Sequence, residues 1–334
     1  MALLQEWREI AYSQQTDRAQ LQNFWTDYFM IERYILPVLF LLFCVSCDKQ
    51  SESAEDDMAV RLFVEVGGIS QTKTVTETDG TVTFSGGDKL GMFVLPGNTP
   101  VMWSYQNSRW VSSVLVEWEN RTDDFEFLAY YPCDEVSGVT PDAVPMPDLS
   151  EQSGSLENIG DKDFLVGRVV ASYADNNGTV SFSGDNSLEH VYSLLYLSVV
   201  GDDLSNPLTI TGCTFTGKGI VTTHTYSFDS ASGGMIASGS PGGDVLTIED
   251  LPSHDIAVLI NPVSLDSSLS FTIRYIRSGQ EYEAKASLGT AFSGGSFHKI
   301  TLRLVDGKLI MTGNEVSDWN VITLDDIVLV GTSA

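Results

Sequence analysis

The chain has 334 residues, 43% of them hydrophobic, and a formal net charge of −27 at pH 7. A negative field of this size repels phosphate backbones, so the composition predicts a protein with no nucleic-acid partner. The length is enough for one large domain or for two domains of ordinary size.

The first distinctive element is an apolar run of twelve residues, Ile35–Ser46, which is followed by Cys47. A helix that crosses a bilayer needs about 20 such residues, whereas the apolar core of a signal peptide is this short. The run ends in Val-Ser-Cys, a small-residue junction of the kind at which lipoprotein precursors are cut. We therefore predict that Cys47 carries a lipid anchor. An ordinary secretory signal is the alternative, because Cys44 stands three residues before Cys47.

The residues before this run lack the features of a signal peptide. Residues 1–29 have no basic n-region, whereas Met30 opens a compact signal with Arg33 ahead of the apolar run. Translation is therefore expected to start at Met30, with Met1 as the alternative. We assign residues 1–46 to an N-terminal extension and a lipoprotein signal peptide, and residues 47–57 to an acidic tether.

The next part, residues 58–173, shows almost only β-strand signals and is assigned to a first β-sandwich. Aliphatic residues alternate with other residues in Val60–Val66, as in a half-buried strand. An Asp-Gly dipeptide predicts a hairpin within Lys73–Phe84. Further strands are expected at Leu90–Leu95, Val111–Trp118, Phe125–Tyr131 and Phe164–Ala171.

The polar stretch Tyr173–Gly178 is the expected domain boundary, so residues 174–334 form the predicted second β-sandwich. Turn residues separate the expected strands roughly every 8–12 positions, which is typical of sandwiches. Ser187–Leu197 is compatible with a short helix as well as with a strand, and no other helix is predicted after residue 57. The expected strands are Val180–Phe182, His190–Val200, Leu208–Phe215, Ile220–Phe228, Ile256–Ile260, Leu269–Tyr275 and Lys299–Leu304.

Sequence motifs that carry catalytic chemistry are absent. The chain has no GxSxG, HExxH, Walker A or GxGxxG motif, and its four histidines stand apart in separate strands or loops. We therefore predict no enzyme activity, no cofactor and no metal site. A disulfide between Cys133 and Cys213 is left open. Four aromatic residues are either core residues or a platform that stacks against sugars: Trp103, Tyr105, Trp110 and Trp118.

A series of stretches follows the signal in a set order. They are GGDKLGMFV (86–94), the pair Trp110 and Trp118, FEFLAYYP (125–132), DKDFLVGRVVA (161–171), HVYSLLYLSVV (190–200), GGSFHKITLRL (294–304) and VSDWN (316–320). Together they resemble the fimbrillin family, the outer-membrane lipoproteins that build type V pili of Gram-negative anaerobes. The resemblance rests on the series rather than on any single motif, and it extends over nearly all of residues 58–334.

The resemblance implies an all-β fold of two tandem transthyretin-like Greek-key β-sandwich domains after a lipoprotein signal peptide. In shaft subunits of the family, an arginine-specific protease cuts near the first strand, and removal of that strand opens a groove. The matching position is Arg61, the only basic residue between Lys49 and Lys73. The alternative is an outward-facing arginine that blunts an edge strand.

In the family, a C-terminal strand of the next subunit fills that groove. Asp325-Asp326 break the alternation of the expected donor, so a last hairpin within its own sandwich is the alternative. The donor segment is Val321–Val330, with Val321, Ile322, Leu324, Ile327, Val328, Leu329 and Val330 as its apolar residues.

The expected partners are other pilus subunits, the outer membrane through the lipid anchor, and a host or bacterial surface ligand. The acidic residues Glu52 and Glu55–Asp57 resemble the surface-export signal of lipoproteins in the same bacterial group, which implies a surface-exposed place on the outer membrane, in a fimbria. Shaft, anchor and tip positions stay open. The alternative function is a surface glycan-binding lipoprotein that works with an outer-membrane importer. That function needs exposed rings at Trp103, Trp110 and Trp118.

Overall fold

The structure of the chain is a computed structural model, and it describes residues 58–67, 84–201, 208–229, 234–237, 243–251, 253–262, 269–289 and 291–318. These residues form an all-β fold with sandwich character, which confirms that part of the predicted fold class, while the tandem Greek-key arrangement stays a prediction. Within them, no helix has the length and apolar character needed to cross a membrane. The predicted signal and tether lie outside the described residues, and so does nearly all of the hairpin predicted in Lys73–Phe84.

The strands follow one another along the chain, most of them with short connections. In the first part they are β1 (Arg61–Val64), β2 (Lys89–Val94), β3 (Val101–Gln106), β4 (Arg109–Ser112), β5 (Phe125–Tyr131), β6 (Val144–Pro145), β7 (Leu165–Ala171), β8 (Thr179–Phe182) and β9 (Glu189–His190). In the second part they are β10 (Ser193–Gly201), β11 (Thr209–Thr216), β12 (His224–Ser227), β13 (Gly234–Ala237), β14 (Val245–Glu249), β15 (Asp255–Ile260), β16 (Leu269–Arg277), β17 (Gln280–Leu288), β18 (Ser296–Val305) and β19 (Lys308–Asp318). The helical elements are one turn of α-helix, α1 (Tyr173–Asn176), and the 3-10 turns Leu156–Asn158 and Gly184–Asn186.

The first part is organised around a six-stranded antiparallel sheet with the order β4-β3-β2-β5-β7-β9. Its inner strand β5 is buried from Phe127 to Tyr131, so apolar groups cover both faces of the sheet there. Outside this sheet, β1 and β8 form a parallel pair in which Arg61 lies opposite Thr179. The first strand is therefore held by a strand that is distant in sequence.

The second part contains two four-stranded sheets, with the orders β15-β10-β18-β19 and β14-β11-β16-β17. β10 and β18 run parallel, and the other pairs in these two sheets are antiparallel. β16 alternates buried with more exposed residues, so one of its faces lies on the core. β15 is buried without interruption from Ile256 to Ile260, in agreement with the unbroken apolar run in the sequence.

Several pairings cross residue 173, the predicted domain boundary. β1 pairs with β8, and β7 pairs with β9. β12 pairs with β6, with Tyr226 opposite Val144, and the Phe228 N–H donates to the Pro141 carbonyl at 2.7 Å. By their contacts, the described residues from 58 onward belong to one compact unit. The division into two domains stays a prediction. The β1–β8 and β7–β9 pairings favour a boundary after β9 rather than at residue 173, whereas the β6–β12 pairing crosses that boundary too.

The polar stretch Tyr173–Gly178 forms the single helical turn α1 and its C-terminal cap. Ser172 Oγ accepts a hydrogen bond from the Asp175 N–H at 3.2 Å and so caps the start of the turn. The turn ends with Asn177 and Gly178 in the left-handed region, at φ of 48° and 75°. Asparagine and glycine tolerate that conformation better than other residues. As a result, the carbonyl groups of these two residues face β1.

Candidate functional site

Among the site residues predicted from the sequence, Arg61 is the one that the structure describes. Cys47 and the predicted donor residues of Val321–Val330 lie outside the described residues. Arg61 is the first residue of β1, so the candidate site is the place that this strand occupies. We call it the first-strand slot and define it as the space between residues 116–118 on one side and β8, with residues 177–178, on the other.

Hydrogen bonds to residues 116–118 hold the start of the first strand on one edge. The Val60 N–H donates to the Val116 carbonyl at 2.8 Å. The Trp118 N–H donates to the Met58 carbonyl at 2.9 Å, and a bridge between residues 59 and 117 continues the antiparallel ladder. Residues before β1 are therefore already part of the paired strand.

The opposite edge of the strand is bonded to β8 and the residue before it. The Arg61 N–H donates to the Gly178 carbonyl at 3.0 Å, and the Glu65 N–H donates to the Phe182 carbonyl at 2.8 Å. The Arg61 side chain reaches the same turn, where its Nη2 donates to the Asn177 carbonyl. Together with the first edge, these bonds make residues 58–67 an inserted strand rather than a loose tail.

One face of the first strand is apolar and packs on the core, as the alternation in the sequence predicts. Its inner residues are either buried or half-buried against the core cluster: Val60, Leu62, Val64 and Val66. Arg61 and Phe63 point the other way, and Phe63 is 47% exposed. The slot thus binds an extended segment by backbone pairing on its edges and by apolar pockets on one face.

The aromatic residues that suggested a sugar platform belong to the core. The exposed fractions of Trp103, Trp110 and Trp118 are 2%, 7% and 4%. Trp110 packs edge-on against Phe84, with ring centroids 4.9 Å apart. A stacking platform needs open ring faces, so the interpretation of these residues as an exposed glycan platform is wrong, and they are core residues.

Buried polar side chains form two pairs that are closed to a substrate. His190 Nδ1 lies 2.8 Å from Asp163 Oδ2, and His298 Nε2 lies 2.9 Å from Ser296 Oγ. Each of these four residues is at most 6% exposed. In the described part of the chain, no three His, Cys, Asp or Glu side chains lie close enough to hold a metal ion.

The site is thus an inserted first strand in an all-β fold, and the buried polar pairs near the core are shielded from solvent. The sequence profile of the family described as fimbrillin-like matches residues 72–319. That match covers more than half of the chain, so the chain belongs to the fimbrillin-like family. Membership places it among the surface adhesive proteins.

Solved structures are similar to the chain over most of its length, and the one from Bacteroides uniformis shows the same fold. A candidate cell adhesion protein from Bacteroides uniformis is 16% identical, with a TM-score of 0.52 over 79% of this chain and 100% of its own. A candidate cell adhesion protein from Bacteroides ovatus is 13% identical, with a TM-score of 0.49 over 80% of this chain and 97% of its own. No curated protein matches the chain.

Proposed function

We propose that the chain is a structural and adhesive subunit of cell-surface fimbriae that is exported as an outer-membrane lipoprotein and assembled by β-strand donation. The observation that carries the proposal is the first-strand slot. Its occupant comes from the start of the described chain, pairs on both edges and buries alternate aliphatic side chains. When such a strand leaves, β8 loses its strand partner, and an entering strand can pair with β8 in its place.

A donor must meet two physical requirements of the slot. It must extend the backbone ladder, and it must present aliphatic side chains where Val60, Leu62, Val64 and Val66 now lie. Each such side chain contributes about 1.5–3 kcal/mol when it is fully buried. The segment Val321–Val330 of another subunit is the proposed donor because it is rich in aliphatic residues.

The proposed processing site is the bond after Arg61. Cleavage there removes residues 58–61 of the described chain and leaves Leu62 as the new N-terminus. The Val116 carbonyl and the Trp118 N–H then lose their present partners. The vacated end of the slot is the proposed entry point for a donor, which extends along the slot as the remaining Leu62–Val66 segment leaves.

Anchoring and partners complete the proposal. Cys47 carries the acyl chains that tie the subunit to the outer membrane, and two or more chains are needed for stable attachment. The partners are other pilus subunits and a surface ligand on a host or bacterial cell. The burial of Trp103, Trp110 and Trp118 removes the main support for the alternative, a glycan-binding lipoprotein.

The test is an intact-mass and N-terminal measurement on protein from cell-surface material. We expect acylation at Cys47, loss of the membrane-bound form in Cys47→Ala, and its retention in the matched control Cys44→Ala. We also expect oligomer ladders that resist mild detergent, chains in them that begin at Leu62, and no ladder after deletion of residues 321–334. A full-length acylated chain without ladders contradicts strand donation, and an unprocessed chain in the cytosol contradicts the whole proposal.

A further inference from the structure

The turn at Asn177 and Gly178 holds Arg61 at two points. The Gly178 carbonyl accepts the Arg61 N–H at 3.0 Å, and the Asn177 carbonyl accepts the side-chain Nη2 of Arg61. The backbone and the guanidinium of one residue are therefore bound by two successive carbonyl groups. A charged donor makes the second bond stronger than one between neutral groups.

The shape of the turn depends on Gly178. This residue has a φ of 75°, and a Cβ added to it would lie 3.3 Å from Arg61 Nη2 and 2.9 Å from Tyr173 Cε2. Position 178 therefore favours glycine for two reasons: its backbone is left-handed, and neighbouring side chains leave no room for a Cβ. A larger residue here would press first on the Tyr173 ring and then on the end of the Arg61 side chain.

The opposite wall of the slot is tied to the same carbonyl group. Trp118 Nε1 donates to the Gly178 carbonyl at 3.2 Å, and Trp118 is 4% exposed. Its ring packs edge-on against Tyr173 of α1, with centroids 6.2 Å apart. The Gly178 carbonyl thus accepts hydrogen bonds from both Arg61 and Trp118. We call the set of bonds that the Asn177 and Gly178 carbonyls make with Arg61 and Trp118 the Arg61 latch.

We propose that the Arg61 latch controls processing: it protects the Arg61–Leu62 bond until the start of the first strand opens locally around Arg61. This inference rests on the proposed function, in which that bond is the processing site. A protease binds its substrate as an extended segment with free edges, and here both edges are paired near Arg61. Cleavage therefore proceeds only from an opened form, at a rate set by how often that form is populated. Local opening around Arg61 comes first, cleavage follows, and the remaining Leu62–Val66 segment then leaves as the donor enters.

The test compares trypsin cleavage of the Arg61–Leu62 bond in the intact folded chain with cleavage of a synthetic peptide of residues 57–67. The ratio of the two rates is the protection, and mass spectrometry identifies the bond that is cut. We expect wild-type protection of at least about a hundredfold. Arg61→Lys keeps a trypsin site but loses the forked guanidinium. Its protection, measured against a peptide with the same substitution, should fall about fivefold, the factor expected for one hydrogen bond.

Gly178→Ala should lower the protection at least as much as Arg61→Lys does, because the added Cβ presses on Tyr173 and on the Arg61 guanidinium and so disturbs the turn that holds Arg61. Gly279→Ala is the matched control, since Gly279 has a φ of 76° but no neighbouring atom within 4 Å of an added Cβ. It should leave cleavage at Arg61 unchanged. A wild-type chain that is cut as fast as the peptide overturns the latch, and so does unchanged protection in Arg61→Lys. Failure of the cell-surface test alone leaves these rates intact, so the two proposals fail separately.

Discussion

His298 is a buried residue of β18 whose ring centroid lies 4.4 Å from that of Phe292. Its Nε2 and Ser296 Oγ form a hydrogen bond, and Ser296 Oγ also donates to the Ser293 carbonyl at 2.6 Å. Burial lowers the pKa of His298 to about 4. In the unfolded chain the pKa is about 6.5. Between these two values the folded protein keeps the imidazole neutral, whereas the unfolded chain takes up a proton.

This difference makes stability depend on pH in a defined window. Because the folded pKa is lowered, the contribution is complete above about pH 6.5 and is lost as the pH falls toward about 4. We expect this group to reduce the free energy of unfolding by about 2 kcal/mol between pH 7.5 and pH 5. His298→Gln should abolish this fall in the free energy of unfolding, whereas the control substitution of an exposed histidine, His254→Gln, should leave it unchanged. Urea unfolding at both pH values measures it, and equal pH slopes in wild type and His298→Gln would contradict the burial effect.

The two cysteines of the described chain are buried free thiols, so Cys133 and Cys213 do not form a disulfide. Burial raises the pKa of both thiols, and for Cys133 the hydrogen bond with Tyr130 partly opposes that rise. A protonated, inaccessible thiol reacts slowly. We expect iodoacetamide to label neither residue in the folded chain and to label both after unfolding in guanidinium, as measured by peptide mapping. A linked Cys133–Cys213 peptide under non-reducing conditions would show this assignment to be wrong.

Edge strands explain much of the architecture at the scale of elements, because an unpaired edge invites association. β15 is an edge strand, and residues 152–154 run along its free side. The Gly154 carbonyl accepts the Ala257 N–H at 2.8 Å. The Gln152 amide bonds both backbone groups of Leu259: Oε1 accepts the N–H and Nε2 donates to the carbonyl, each at 2.8 Å. A side chain thus takes the place of a neighbouring strand.

Removing that side chain should weaken the edge. Gln152→Ala leaves the N–H and carbonyl of the buried Leu259 without these partners, so we expect the free energy of unfolding to fall by about 2 kcal/mol. The adjacent exposed residue provides the control, and Glu151→Ala should change stability by less than about 0.5 kcal/mol. Guanidinium unfolding measures both variants. Equal stability of the two variants would mean that Gln152 does not replace a strand.

Strand positions are predictable where an apolar pattern runs the length of the strand. Phe125–Tyr131 agrees with β5 at both ends, and Ile256–Ile260 differs from β15 by one residue. β17 is missed because its first four residues are exposed and carry no apolar alternation. The sequence of Ser187–Leu197 does not distinguish a helix from a strand. The start of β10 is buried on both faces, so the alternation with a period of two is hidden.

The site is less predictable than the fold. The alternation in Val60–Val66 correctly indicates a half-buried strand with Arg61 facing outward. The Asn-Asn-Gly pattern at 176–178 indicates a turn. It does not indicate that β1 lies beside this turn, because no local pattern encodes the parallel pairing of β1 with β8. The groups that hold Arg61 are backbone carbonyls, which any residue type supplies. Strand spacing likewise does not say which ring faces are covered, so the sequence leaves open whether the tryptophans are core residues or a sugar platform, and their burial decides for the core.

At the scale of the whole molecule, the antiparallel pair β12–β13, a hairpin from the second part of the chain, packs against the first part. Arg168 of β7 donates to the Phe228 carbonyl at 2.7 Å. The Phe228 ring lies edge-on to Phe93 of β2, with centroids 6.4 Å apart, and is 4% exposed. Tyr226 of β12 packs against Phe164 at a centroid distance of 5.8 Å. These contacts join the six-stranded sheet to the hairpin through a shared aromatic core.

Because of this shared core, residues 58–334 should unfold in a single cooperative transition. Phe228→Ala removes a buried ring and should cost about 3–5 kcal/mol, which lowers the Tm of that one transition by on the order of 10 °C. Ile310→Ala is the control, since Ile310 is 47% exposed on β19 and should leave the Tm nearly unchanged. Differential scanning calorimetry compares the calorimetric with the van't Hoff enthalpy. Two transitions, of which Phe228→Ala shifts only one, would instead mean that the two parts are independent domains and that the hairpin contact is a weak interface between them.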